Sequence, residues 1–199
     1  SMTGVTSGVA PVHGVELAYE CRGDGETFVL VHGWTGSGRG WSGVIDRLAE
    51  RRRVVVFDHR GHGRSTNTGD PATYTLAQLA DDFAALADAI GLDSFHLLGH
   101  SMGGSVAMRY AVAHPARLRS LVLMDTGAAS APGSAELMQP LVDIVEAGGT
   151  AAYYEAAKSY VGLPGAAGDA ARAAFKWDIE HVDPVAFVAL AHELCRFGS

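Results

Sequence analysis

Ser101 stands in Phe95-His-Leu-Leu-Gly-His-Ser-Met-Gly-Gly-Ser105, where an apolar run breaks into glycines around one hydroxyl. The stretch reads as a strand, a sharp turn and the start of a helix. Gly99, Ser101 and Gly103 fit G-x-S-x-G, a spacing whose small residues let the chain reverse tightly and leave a strained serine clear of the sheet. A serine so placed can act as a nucleophile. The helix opening behind it leaves the N–H of Met102 without an intrahelical partner, free to meet negative charge developing on a substrate oxygen. The same pentapeptide also suits an ordinary glycine-rich turn with a capping serine, so the surroundings must decide.

Such a serine needs a sheet behind it. Thr27 to Val31, Arg53 to Phe57, the run from Phe95 and Leu118 to Met124 are short apolar segments of the kind buried in parallel sheets. Between the first two, Trp41, Val44, Ile45 and Leu48 recur at helical spacing, with Arg51-Arg-Arg53 suiting the last turn. A second helix opens at Tyr74-Thr-Leu-Ala-Gln-Leu79, where Thr75 can cap and Gln78 can close a capping box, and it stops at Gly91. The helix after Ser101 must end about His114-Pro115. Ahead of these, Val5 to Val12 and Val15 to Cys21 read as an antiparallel pair joined at His13-Gly14. The resulting β-α-β-α-β-α-β order predicts a parallel sheet covered on both faces, with ligands at the carboxyl edge. His32-Gly-Trp34, Asp58-His59, Ser101 and Asp125 all fall just past strand C-termini, so the candidate chemistry converges on that edge.

From Gly127 the texture changes to Ala, Gly and Pro with helical periodicity and no further strand. Residues 3–126 are expected to form an α/β core and 127–198 a helical lid. The last helix opens with Asp183 as cap and Pro184 in its first turn. Tyr153, Tyr154, Phe175, Trp177 and Phe187 could line a pocket beneath the lid or simply hold small helices to the core.

The 199 residues are 48% hydrophobic and 19% charged, ordinary for a globular chain, and the net charge of -7 argues against nucleic acid or an anionic membrane as partner. A small molecule is the expected partner. Cys21 and Cys195 are isolated, which suggests neither a disulfide framework nor a zinc site and suits a reducing cytoplasm. No window approaches the roughly 18 apolar residues of a membrane span, and no signal-peptide pattern opens the chain. Ser1-Met2 reads as a cloning remnant, so fold reasoning begins near Thr3.

Three motifs, HGWTGS at His32 to Ser37, DHRGHGRS at Asp58 to Ser65 and GHSMGG at Gly99 to Gly104, resemble those of the alpha/beta-hydrolase fold family in order and placement. The likeness is to lid-bearing serine hydrolases, a branch that includes esterases, lactonases and cofactor-free haloperoxidases. It implies Ser101 as nucleophile at a nucleophile elbow, with the N–H groups of Trp34 and Met102 forming an oxyanion hole. A small acyl substrate and no metal or organic cofactor are implied with it. The serine speaks against the dehalogenases and epoxide hydrolases of the fold, which resemble it with an aspartate there. The family's triad continues with an acid and then a histidine, usually after two further strands, and this sequence ends before them.

Downstream of Ser101 only His114, His181 and His192 remain, none in a Gly-His context after a strand. His32 and His100 belong to loop motifs, where they brace backbone, and His59 and His62 serve a turn. Asp125 is a candidate acid, since some family members place theirs after this strand. The expectation is a C-terminally incomplete fold, its acid and base beyond Ser199, inactive or weak by itself and open to self-association through the exposed edge at Leu118 to Met124. A hydrolase of a carboxylic ester, lactone or related acyl compound is the leading reading. A non-catalytic, receptor-like binding member, a haloperoxidase or a carbon-carbon bond hydrolase stand as alternatives.

Overall fold

The computed structural model describes residues 4–161 and 164–198, so the expectations for Ser1-Met2 and for a start at Thr3 lie outside the described residues. The strands are β1 (Val5–Val12), β2 (Val15–Arg22), β3 (Thr27–Val31), β4 (Arg53–Phe57), β5 (Phe95–His100) and β6 (Leu118–Met124). They form one sheet in the order β1-β2-β4-β3-β5-β6. β1, β2 and β4 pair antiparallel, and β4, β3, β5 and β6 run parallel, as the apolar runs and crossover helices predict. The helices are α1 (Ile45–Ala49), α2 (Leu76–Ala89), α3 (Met102–Ala113), α4 (Ser134–Ala157), α5 (Ala166–Glu180) and α6 (Pro184–Leu194). Among the described residues no helix is long and apolar enough to cross a membrane.

Strand alternation sends Val29, Val31, Val55, Phe57 and Leu97 to one face, where α2 and α3 bring Leu79, Phe83 and Val106 onto them. Phe57 and Phe83 stack there at 5.5 Å. Leu30, Val54 and Val56 face the other way and meet Ile45 and Ala49 of α1. Ala186 and Leu190 of α6 join the larger core, so the C-terminal helical segment packs directly into the sheet's main cluster.

Two local expectations need correction. The helix expected over Trp41 to Leu48 is instead a 3-10 turn at Gly38–Trp41 followed by the five-residue α1, which ends before Arg51-Arg-Arg53. Gly40 and Gly43 weaken the helix there, and Val44 is 47% exposed. Thr75 caps α2 by accepting the N–H of Gln78 at 3.0 Å, a bond worth about 1 kcal/mol, but the Gln78 amide turns to Asp82 and leaves the capping box half made. Gly91 ends α2 as expected: at φ 72° it lets Leu92 N–H return to Ala87 C=O at 2.8 Å. α4 breaks at Gly149, whose φ of 74° separates two helical stretches. Asp183 and Pro184 open α6 in their expected roles, the Asp183 carboxylate accepting Val185 N–H.

The loop after β4 is fastened to α2 by a buried bidentate pair, with Arg60 Nε 2.6 Å and Nη2 2.8 Å from the Asp82 carboxylate. Removing one partner strands the other charge in the core. Asp82→Ala is expected to cost about 3–5 kcal/mol, read from urea unfolding, and a loss under about 1 kcal/mol would show that water reaches Arg60. At the opposite side of the sheet, Leu121, Val122, Leu123 and Met124 of the edge strand β6 are between 36% and 44% exposed. Unpaired strand edges of this character template association. Sedimentation of the 199-residue chain should show concentration-dependent self-association that Val122→Lys suppresses; a monomer at every concentration would mark the edge as inert.

Candidate functional site

Ser101 joins β5 to α3 with φ 52° and ψ -121°, a strained conformation for a residue with a Cβ. Its main chain is held on both sides. The N–H donates to Met124 C=O at 3.0 Å, and the C=O accepts from Gly104 N–H at 2.8 Å and the Thr126 hydroxyl at 2.7 Å. A Cβ on Gly99 would collide with the Gly103 carbonyl, and one on Gly103 with the carbonyls of Val31 and His32. The ends of β3 and β5 and the first turn of α3 therefore touch backbone to backbone. The Ser101 side chain makes no capping bond to α3, and among the described residues no hydrogen bond reaches its hydroxyl. A merely capping serine would do the opposite.

Trp34 lies on the loop after β3, and Gly33 packs against Ser101, with a Cβ on that glycine falling 3.2 Å from the serine's own. Among the described residues neither Trp34 N–H nor Met102 N–H has a backbone acceptor. Thr35, next along, has φ 66°, costly for a β-branched residue, and its N–H donates to His62 Nε2 at 3.1 Å. The Trp34 indole N–H donates to Phe187 C=O of α6 at 3.1 Å, and the two rings stand 4.4 Å apart. Tyr153 packs on Phe187 at 4.9 Å and Phe175 on Tyr154 at 5.8 Å. Four of the five C-terminal aromatics thus form a chain of contacts reaching Trp34, while Trp177 stacks apart from them on His181.

The loop histidines are braces. His32 Nδ1–H donates to Gly33 C=O at 2.7 Å while its Nε2 accepts His59 N–H at 3.0 Å. His62 Nδ1–H donates to Arg60 C=O at 3.0 Å, leaving Nε2 for Thr35. His59 Nε2–H donates to His32 C=O at 3.0 Å, and its buried Nδ1 has no partner. Each bond fixes a neutral tautomer. Two of the three ring lone pairs are occupied by N–H groups, and among the described residues no cluster suited to a metal occurs.

His100, expected to brace backbone, does not: among the described residues no hydrogen bond reaches its ring. His100 meets the Trp41 ring edge-on, His114 lies on Tyr110 at the end of α3, and His192 is exposed. None is hydrogen-bonded to Ser101. Asp125 is exposed at φ 50°, with no partner for its carboxylate among the described residues.

Two tethers escaped the sequence reading. Ser37 donates its hydroxyl to Asp178 of α5 at 2.6 Å, and burial pushes that carboxyl up to about 6. Arg60–Asp82 had a visible signal: Asp82 falls on the apolar face of α2 between Leu79 and Leu86, where a charge must be paired. Nothing in the sequence marked Asp178 in the same way.

Burial, then the proximity of other imidazoles, lowers His59 to about 3 and His32 well below its ordinary value; burial lowers His62 to about 4. In the unfolded chain each takes up a proton below about 6.5, so each contributes stability that is full above that pH and declines as pH falls toward the folded value. The raised carboxyls of Asp58 and Asp178 act in the opposite sense. A difference measurement isolates one imidazole: between pH 6 and 4, His59→Gln should lose stability less steeply than the parent by about 1.4 kcal/mol per pH unit. Parallel urea-midpoint curves would show that His59 is protonated in the fold.

A family profile described as "alpha/beta hydrolase fold" matches residues 26–160. RutD of Caulobacter sp. (strain K31), whose name assigns it provisionally to carbamate hydrolysis, is 37% identical over 134 residues, covering 67% of this chain and 49% of that protein. The chain spans about half the length of such relatives. A thermophilic esterase from Thermogutta terrifontis superposes with a TM-score of 0.75 at 27% identity, covering 96% of this chain and 72% of the other. The enol-lactonase of Burkholderia xenovorans LB400 shares the fold at 23% identity, with a TM-score of 0.80 over 96% of this chain and 74% of its own. The profile match over most of the sheet, the shared architecture and the strained serine between β5 and α3 agree: the chain belongs to the alpha/beta hydrolase fold family.

Proposed function

We propose that the protein is a serine hydrolase that cleaves a carboxylic ester, lactone or related small acyl compound through an acyl-enzyme on Ser101. The observation that carries this is the conformation of Ser101, strained, anchored through its main chain and with its hydroxyl uncommitted. The N–H groups of Trp34, next to the Gly33 that packs on Ser101, and of Met102 have no backbone acceptor, which supports them as oxyanion donors. Ser101 Oγ attacks the carbonyl carbon and its proton passes to a general base. The bond from that carbon to the leaving heteroatom then breaks, the leaving group takes the proton, and water releases the acyl group in a second, equivalent step. The carbamate, ester and lactone named for the relatives share such a carbon.

In this mechanism the general base and its orienting acid come from outside residues 1–199. What supports this is that no described histidine bonds Ser101 and that Asp125 has no histidine beside it. The helical segment 127–198 acts as the lid, with Tyr153 and Phe187 backing the Trp34 loop. The molecule is proposed to work in the cytoplasm on a free small molecule, without nucleic acid, membrane or cofactor.

A fluorophosphonate probe should label Ser101 in the complete protein, and Ser101→Ala should abolish labelling and lower turnover of short p-nitrophenyl esters on the order of 10⁴-fold or more. Labelling that persists in the variant would refute the nucleophile assignment. A folded, unlabelled parent would favour the receptor-like alternative.

A further inference from the structure

Beside α1, the described residues leave the sheet face of β1 and β2 uncovered, and α5 stands opposite to form a groove of about 980 Å³. Ser101, Trp34 and Met102 are not among its walls. Val9, Ala18 and Val56 supply an apolar floor, and Ala170, Ala173 and Ala174 of α5 a smooth side wall. At the end of that wall stands Trp177. The guanidinium carbon of Arg39 lies 4.2 Å from its ring centroid and that of Arg64 5.7 Å away. His181 stacks on the same indole at 3.9 Å and 14° and holds Trp177 C=O through Nδ1–H at 2.6 Å, so the platform is fixed.

The two arginines are presented together by one buried carboxylate. Asp58 Oδ1 accepts Gly38 N–H at 2.7 Å, immediately before Arg39, and Oδ2 accepts Arg64 N–H at 2.9 Å. With its oxygens used on backbone, Asp58 lies beyond ion-pair distance of either guanidinium, although its charge still attracts both. Nearby carboxylates are also engaged: Glu20 with Arg22, and Asp178 with Ser37. Among the described residues neither Arg39 nor Arg64 has an ion pair or a side-chain hydrogen bond, yet each guanidinium carries five donors. Asp58 and Asp178 offset part of this charge from a distance, yet neither gives the guanidinium groups an acceptor, so their N–H groups beside the Trp177 ring stay open to a ligand anion.

We propose that this groove is a binding site for an amphiphilic organic anion, its carboxylate or phosphate head held by Arg39 and Arg64 beside Trp177 and its apolar body lying along Val9, Val56 and the alanines of α5. A head with two oxygens matches the planar fork of arginine. The volume lies at the upper end of the range usual for small-molecule sites. The proposal does not depend on chemistry at Ser101.

Titration of the ¹⁵N-labelled protein with octanoate and with octyl phosphate tests it, following the Trp177 indole N–H resonance. Saturable shifts at Trp177 are expected with at least one of the two, and the tighter ligand identifies the head group. Octanol and inorganic phosphate, each lacking one half, should bind at least tenfold more weakly. Arg39→Gln combined with Arg64→Gln should weaken binding by tenfold or more. Ala173→Trp, which fills the groove and leaves both guanidinium groups in place, should block the tail independently. The proposal is overturned if neither anion binds saturably, if shifts are confined to Trp34, if octanol matches the better anion, or if the folded double variant binds as the parent does.

Discussion

Two loops, one after β3 and one after β4, hold each other in place, and the geometry around Ser101 depends on that hold. The bonds cross in both directions. His59 N–H and Thr35 N–H are taken by imidazoles of the opposite loop, while Asp58 accepts the N–H of Gly38. Ser65 then ties the second loop to β2, donating to Asp58 C=O and accepting Ala18 N–H. The bond that Thr35 N–H donates to His62 Nε2 helps hold its left-handed backbone, and Trp34 precedes it directly.

This concentration of polar groups is energetically unusual. His32, Ser37, Asp58, His59, Arg60, His62 and Ser65 are all buried, most within one loop. Taking such groups from water is offset only where each finds a partner, and nearly every donor and acceptor here does. The gain is definition more than stability: a satisfied polar network admits few rearrangements, whereas a greasy contact slides. The nucleophile candidate therefore stands on a platform whose alternatives are all costly.

Much of this was legible in the residues. Continuous apolar runs at Thr27 to Val31 and Arg53 to Phe57 correspond to strands with those bounds, because strands buried on both faces leave little ambiguity. Thr75, Gly91, Asp183 and Pro184 mark helix ends correctly, since capping is local chemistry. The region around α1 misled, because apolar spacing alone ignores what Gly40 and Gly43 cost a short helix. The site divides in the same way. The turn at Ser101, the free N–H of Met102 and the bracing by His32 were readable from motif and position, whereas His100 was expected to brace backbone and meets the Trp41 ring instead. The bonds from Ser37 to Asp178 and from Trp34 to Phe187 span more than a hundred residues and depend on how helices settle on the sheet.

The last of these bonds bears on how such a protein can change by recombination. Residues 127–198 look exchangeable as a cassette, since they follow the last strand described and, among the described residues, hold helices and loops but no strand. Phe187 makes them less modular. Its main-chain carbonyl receives the Trp34 indole N–H and its ring packs tilted against that indole, so an incoming cassette must reproduce one carbonyl and one aromatic ring at a fixed distance from β3. Chimeras that ignore this register would inherit the sheet and the serine intact and still misplace the loop beside it. The heritable unit is therefore the cassette together with a single tryptophan more than 90 residues upstream.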